Sequence, residues 1–147
     1  MVFLKVRLDP SLGKIHKRVE RLMDEMMNIN RPVLSSSGGG WVPEADLYEV
    51  ENEVVLLVNV AGVPKEDIEI SYYQGYLRIR GKRSRNAPPG SRARYHRMEI
   101  GHGEFERILK IPVPIDENRV EAFVDDGLLN VTMKKRGRPQ SYRGEIK

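Results

Sequence analysis

Apolar and polar positions change rhythm along the chain, and each rhythm predicts a different element. From Leu4 to Leu8 apolar residues alternate with Lys5 and Arg7, a strand-like pattern. Ile15, Val19, Leu22, Met23, Met26 and Met27 then recur at helical spacing, with charged residues on the other face. Ser11 precedes them and is read as the N-cap, its hydroxyl accepting the orphan N–H groups of the first turn. The stripe of this helix can pack on its own domain, between subunits, or against clients. Unbranched methionine suits the last role, because it adapts to many shapes. Ser-Ser-Ser-Gly-Gly-Gly at 35–40 reads as a flexible linker.

Beyond the linker the period becomes two. Trp41 to Val50 reads as one irregular strand, and the run Val54–Ala61 as a strand buried on both faces. Ile68–Tyr72 and Tyr76–Arg80 alternate around Gln74-Gly75, Phe105–Ile111 ends at Pro112, and Ala122–Val124 and Leu129–Met133 flank Asp125-Asp126-Gly127. Short strands, turn residues and no intervening helix predict an all-β, immunoglobulin-like antiparallel sandwich. It carries an N-terminal helical arm (1–40), spans 41–135, and ends in a short flexible tail, 136–147. One stretch fits no compact sandwich: residues 81–103 separate two strands. Long loops are usually functional or disordered, and the strand propensity of 93–100 invites pairing with another chain's sheet edge.

Charge sharpens that expectation. Net charge is only +4, but residues 44–69 hold eight acids and one base, whereas 70–98 hold no acid. Zero cysteines among 147 residues exclude a disulfide scaffold, a thiol nucleophile and a Cys-ligated metal. His16, His96 and His102 have no ligand spacing, no nucleophile elbow is present, and Gly101-His102-Gly103 precedes no helix. No catalytic residue, metal ligand or cofactor is therefore assigned. Arg78, Arg80, Arg92, Arg94 and Arg97 with Tyr95 suit a single-stranded nucleic acid. The acidic strands would repel phosphate, so a solvated or subunit-facing loop is preferred and no nucleic acid is expected. No apolar run approaches a membrane span, and Lys5, Arg7 and Asp9 interrupt any signal pattern. A cytoplasmic protein is expected.

Five pieces then occur in a familiar order. Pro43–Glu49 reads P-x-x-D-x-Y-E. Val60–Ile68 carries the turn G-x-x-K-E-D-I with Ala61 in place of the usual proline. Leu77–Arg83 reads L-x-I-x-G-x-R, Gly103–Pro112 resembles G-x-F-x-R-x-x-x-L-P with Ile111 at the leucine position, and Ala122–Leu129 reads A-x-x-x-x-G-L-L. Together they make the chain similar to the small heat shock proteins, whose shared part is the alpha-crystallin domain. The resemblance covers about two thirds of the chain. It implies an ATP-independent holding chaperone that binds unfolding clients, built on homodimers and usually larger oligomers. Client contact is then assigned to Ile15, Val19, Leu22, Met23, Met26 and Met27. A basic-arm nucleic-acid binder is the second reading, and a co-chaperone with an ATP-dependent partner the third.

The resemblance also gives the long loop a role. A strand at Arg92–Ile100, with Arg92, Arg94, Tyr95 and Arg97, would exchange into the partner's edge near Trp41–Tyr48, meeting Glu44, Asp46 and Glu49. Arg107 matches an arginine near the dimer interface, where an ion pair is expected. The family's C-terminal I-x-I plug is absent, since Ile146 stands alone. The groove it would fill is placed along Ile68, Ile70, Ala122 and Val124. Leu4-Lys5-Val6 or Val6-Arg7-Leu8 could fill it by β-augmentation; otherwise the protein is a dimer or a small assembly.

Overall fold

Two hairpins set the register. Gln74 and Gly75 have φ of 45° and 90°, and Asp126 and Gly127 have φ of 49° and 81°. Consecutive left-handed residues give the turn twist that two-residue hairpins need, and Gly supplies the second without steric cost. The computed structural model describes residues 3–15, 41–84 and 92–137.

The strands are β1 (Phe3–Leu4), β2 (Val6–Leu8), β3 (Ala45–Val50), β4 (Glu53–Asn59), β5 (Glu69–Tyr73), β6 (Tyr76–Arg83), β7 (Gly103–Lys110), β8 (Ile115–Asp125) and β9 (Leu128–Lys135). One sheet has the order β1-β8-β9-β4-β3 and the other β2-β5-β6-β7. Strand pairs are antiparallel except β2–β5, which is parallel. The result is the expected all-β, immunoglobulin-like sandwich.

The core lies between the sheets. Val54, Leu56 and Val58 of β4 and Leu129, Val131 and Met133 of β9 face Ile70, Leu77 and Ile79 of the other sheet, and all are essentially inaccessible to solvent. Each such side chain contributes about 2 kcal/mol of hydrophobic stabilisation. Period two follows from the pleat, which turns alternate residues inward.

Three readings change. The run at 54–61 is not buried equally on both faces: β4 ends at Asn59, and Leu57 on its outer side stays half-buried. Trp41–Val50 is not one strand. Trp41 bridges Phe105 of β7 in one sheet, whereas Ala45–Val50 pairs with β4 in the other. Buried Pro43 lies at this crossing, where its missing N–H breaks no ladder. Ser11 does not cap the start of a helix. A 3-10 helix runs Pro10–Ile15, Ser11 is inside it, and Asp9 Oδ1 accepts from the Ser11 backbone N–H at 3.0 Å and from its hydroxyl at 2.6 Å. Asp9 with Pro10 after it is the stronger start signal, because the Asp carboxylate turns the backbone and Pro tolerates a first helical position. The stripe Val19–Met27, the linker 35–40 and Ile146 lie outside the described residues.

Candidate functional site: the edges of the sandwich

An open sandwich has strand edges that must be paired or protected. At one end the edges are β8 and β5, and the N-terminal segment covers both. Phe3 and Leu4 stand opposite Phe123 and Ala122 of β8. Val6, Arg7 and Leu8 stand opposite Ile70, Ser71 and Tyr72 of β5. The strand thus crosses from one sheet to the other between Leu4 and Val6. Leu4 and Val6 pack against the core cluster, and Phe3 stacks edge-on against Phe123 with ring centroids 5.9 Å apart. Ile68, Ile70 and Ala122 are buried here, and Val124 is half-buried.

The segment then wraps around β5. Asp9 N–H donates to the Tyr72 carbonyl, and the 3-10 helix lies on the outer side, with Leu12 buried and Gly13 against the Tyr73 ring. Asp9 Oδ2 meets Arg78 Nη2 of β6 at 2.7 Å. Arg7 and Arg80 converge on Glu69, at 3.6 and 2.9 Å. Two arginines of the basic block, Arg78 and Arg80 of β6, are therefore paired with carboxylates.

The bonds from the Ser11 hydroxyl and then the Ser11 amide, aided to a lesser degree by Arg78 and Arg7, hold the Asp9 carboxyl below its ordinary range against the opposing effect of desolvation. The ionised form is the one the fold prefers. Its contribution is present in full above a free aspartate's value, about pH 4, and is lost as pH falls through the lowered value. In an NMR titration the Ser11 amide is expected to shift with a midpoint below that of a free aspartate. A midpoint at or above that value refutes the Asp9–Ser11 contact.

The other end is built around Trp41. Its indole N–H donates to the Gly103 carbonyl at 2.9 Å, and its ring packs edge-on to Phe105. Arg83 lies over the indole face, 3.9 Å from the centroid, and donates to the carbonyls of Ala61 and Gly101 at 2.7 and 3.0 Å. Burial lowers the Arg83 pKa, with Glu44 opposing; a guanidinium stays charged all the same. Arg83 thus ties two loops, at Ala61 and Gly101, to the single Trp, a role the basic composition of its neighbourhood concealed.

Arg107 on β7 donates to the Pro43 carbonyl at 2.7 Å, and burial lowers its pKa. Its buried Nε has no acceptor among the described residues, and none of the described carboxylates pairs with it. The ion pair expected of Arg107 is therefore not found among the described residues. Residues 92–100 form no strand there and are exposed throughout. Tyr95, Met98 and Ile100 are 49%, 52% and 70% exposed. Arg97 pairs with Glu99. Among the acids, Glu44 accepts from the Asn59 amide, Glu49 pairs with Lys135, and Asp46 is exposed on edge strand β3. The expected acceptor, Trp41–Tyr48, divides between two sheets.

Among the described residues no group of His, Asp or Glu could hold a metal, and no helix is long and apolar enough to cross a membrane. A sandwich of this strand order with a long exposed arm before β7 is the alpha-crystallin type. The Hsp20/alpha crystallin family model matches residues 46–147, and the chain belongs to that family, a family of stress chaperones. It is 30% identical to heat shock protein 16 of Schizosaccharomyces pombe over 85% of this chain and 88% of that protein. Among solved structures it is similar to hspA of Xanthomonas axonopodis, with a TM-score of 0.59 and 31% identity over 65% of this chain and 95% of that one. A small heat-shock protein of Xylella fastidiosa, described as having a distinct high order structure, gives a TM-score of 0.61 with 28% identity over 73% and 97%.

Proposed function

We propose that the protein is an ATP-independent holding chaperone of the cytoplasm. It binds partly unfolded proteins under stress and prevents their aggregation. The observation that carries this reading is the family match across 46–147. Binding exposed apolar surface removes non-native chains from aggregation by mass action, with no chemical step. Client contact falls to the N-terminal stripe of Ile15, Val19, Leu22, Met23, Met26 and Met27.

The building block of this reading is a homodimer made by exchange of Arg92–Ile100. Support comes from the exposed apolar side chains of the arm and from the acceptor-free Nε of Arg107 beside the Trp41–Pro43 edge. Arg92, Arg94 and Arg97 meeting Glu44 and Asp46 would set orientation and on-rate more than affinity. The test is client aggregation followed by light scattering without ATP. Suppression near one subunit per client is expected, and Met23→Ser together with Met26→Ser is expected to weaken it. Aggregation unaffected at molar excess refutes holding.

A further inference from the structure

The apolar run of β4 exceeds what the core uses. Val54, Leu56 and Val58 face inward, so the pleat turns Val55 and Leu57 to the outside of the five-stranded sheet. The solvated face of an antiparallel sheet is ordinarily polar. Here the register lays apolar side chains across it. One row runs Asp46–Leu57–Asn130–Phe123–Phe3 through all five strands. The next runs Tyr48–Val55–Thr132–Glu121. Flanking these rows, Leu128 stands opposite Asp125 and Val50 opposite Glu53. Tyr48, Val50 and Leu128 are 44%, 46% and 41% exposed. Exposed apolar side chains gathered on one face mark an interaction surface.

Charge says what the surface takes. Asp46, Glu121 and Asp125 stand on this same face, exposed, and none has a cationic partner among the described residues. Glu53 has one, Lys134. The face is thus acidic in a chain of net charge +4. Two copies of it laid together would set carboxylate against carboxylate, so the face does not cover itself. We infer that the outer face of the five-stranded sheet is a client-holding surface, and that it takes partly unfolded segments in which apolar residues are interspersed with lysine or arginine. This deepens the holding reading above and rests on it. From β3 to β8 is three strand spacings, about 14 Å, which about four or five extended residues span. Apolar client side chains lie on Leu57, Tyr48 and Phe123, while cationic heads reach Asp46 at one side and Glu121 and Asp125 at the other. The N-terminal stripe adds apolar grip, and this face adds a preference of sign.

The probes are two fluorescent peptides of equal length with identical leucines, one with lysines between them and the other with glutamates. Binding to the full-length protein is read by anisotropy at low salt. The net charge of +4 by itself favours the glutamate peptide, so the opposite preference has to come from a local acidic face. The lysine peptide is expected to bind about tenfold tighter, and the preference is expected to fade as salt rises from about 0.05 to 1 M. Glu121→Lys with Asp125→Lys is expected to erase it. Both side chains are exposed and lie on β8, away from the arm and the β3 edge, so the fold is expected to hold, checked by an unchanged unfolding midpoint. Leu128→Ser is expected to weaken the lysine peptide roughly fivefold by removing apolar contact. Equal binding of the two peptides, or a glutamate preference, overturns the inference. A lysine preference that survives Glu121→Lys with Asp125→Lys overturns it too, because the site then lies elsewhere. So does a Leu128→Ser variant that changes the sedimenting mass at unchanged peptide affinity, since the face is then a contact between copies. Client aggregation without ATP is followed beside the peptides. Suppression with no peptide preference removes this face alone, whereas the expected peptide preference with no suppression removes the holding reading and leaves the face a site for cationic segments.

Discussion

Gly81→Ala is expected to destabilise the sandwich by about 3 kcal/mol, the upper end for overpacking a well-filled core. The reason is space, since Gly81 is not among the left-handed glycines. A Cβ there would lie 2.5 Å from Phe105 Cζ, 2.7 Å from its Cε2 and 2.9 Å from the Asp67 carbonyl oxygen. None of these can give way easily. The Phe105 ring is buried and packs on Trp41, 5.2 Å between centroids. The Asp67 oxygen is backbone, at the end of the 3-10 helix Lys65–Asp67. With a urea slope of about 2 kcal/mol/M, the unfolding midpoint falls by roughly 1.5 M. An unchanged midpoint would mean that β6 and β7 do not pack as described. The same glycine is the fifth position of the L-x-I-x-G-x-R piece, so its place in that pattern has a steric cause.

Replacing Ala93–Ile100 by a Gly/Ser segment of equal length is expected to leave each sandwich folded and to abolish the proposed dimer. The arm makes no ladder bonds in the protomer, so its loss removes little from the fold. Across an interface the same residues would supply a strand's hydrogen bonds and bury Tyr95, Met98 and Ile100. At about 2 kcal/mol each, these side chains bring roughly 6 kcal/mol before ordering costs. Ordering a short arm takes back part of that. The dissociation constant is therefore expected to rise at least ~100-fold, which is about 2.7 kcal/mol. Sedimentation at micromolar concentration would read this as a monomer in place of a dimer. A variant that remains a dimer would move the interface away from the arm, for instance to the outer edge of β3.

The sequence exposes the hairpins and most strands because their causes are local. Gln74-Gly75 and Asp126-Gly127 announce left-handed turns, and inward residues of β5, β6 and β9 fall at period two. The unpaired arm is legible for the same reason: strand-forming residues with no neighbour nearby in the chain. What is hidden depends on residues far apart. Nothing local tells that Trp41 and Ala45 belong to different sheets, because the crossing is fixed by their partners Phe105 and Val58, well away along the chain. Arg83 looks like one base in a basic block until Trp41, Ala61 and Gly101 surround it. Ser11 is an apt cap residue by type, but Asp9 two positions earlier accepts from the N–H of Ser11 itself and reaches Arg78 as well. The alternation in Leu4–Leu8 shows a strand. It does not show that the strand splits, with Leu4 on β8 and Val6 on β5.

Trp41 is the chain's single tryptophan. Its ring sits between a guanidinium and a phenyl edge, and Gly101, just beyond the arm, lies against it. The tryptophan emission of the whole molecule thus originates at one seam and ignores both hairpins and the N-terminal edge. A nearby cation and an edge-on ring tune its colour and yield, so a strand arriving at or leaving that seam changes the light. Dilution followed by emission alone, without label or tag, therefore reads partner exchange at the proposed joint, in the native chain and at concentrations too low for scattering.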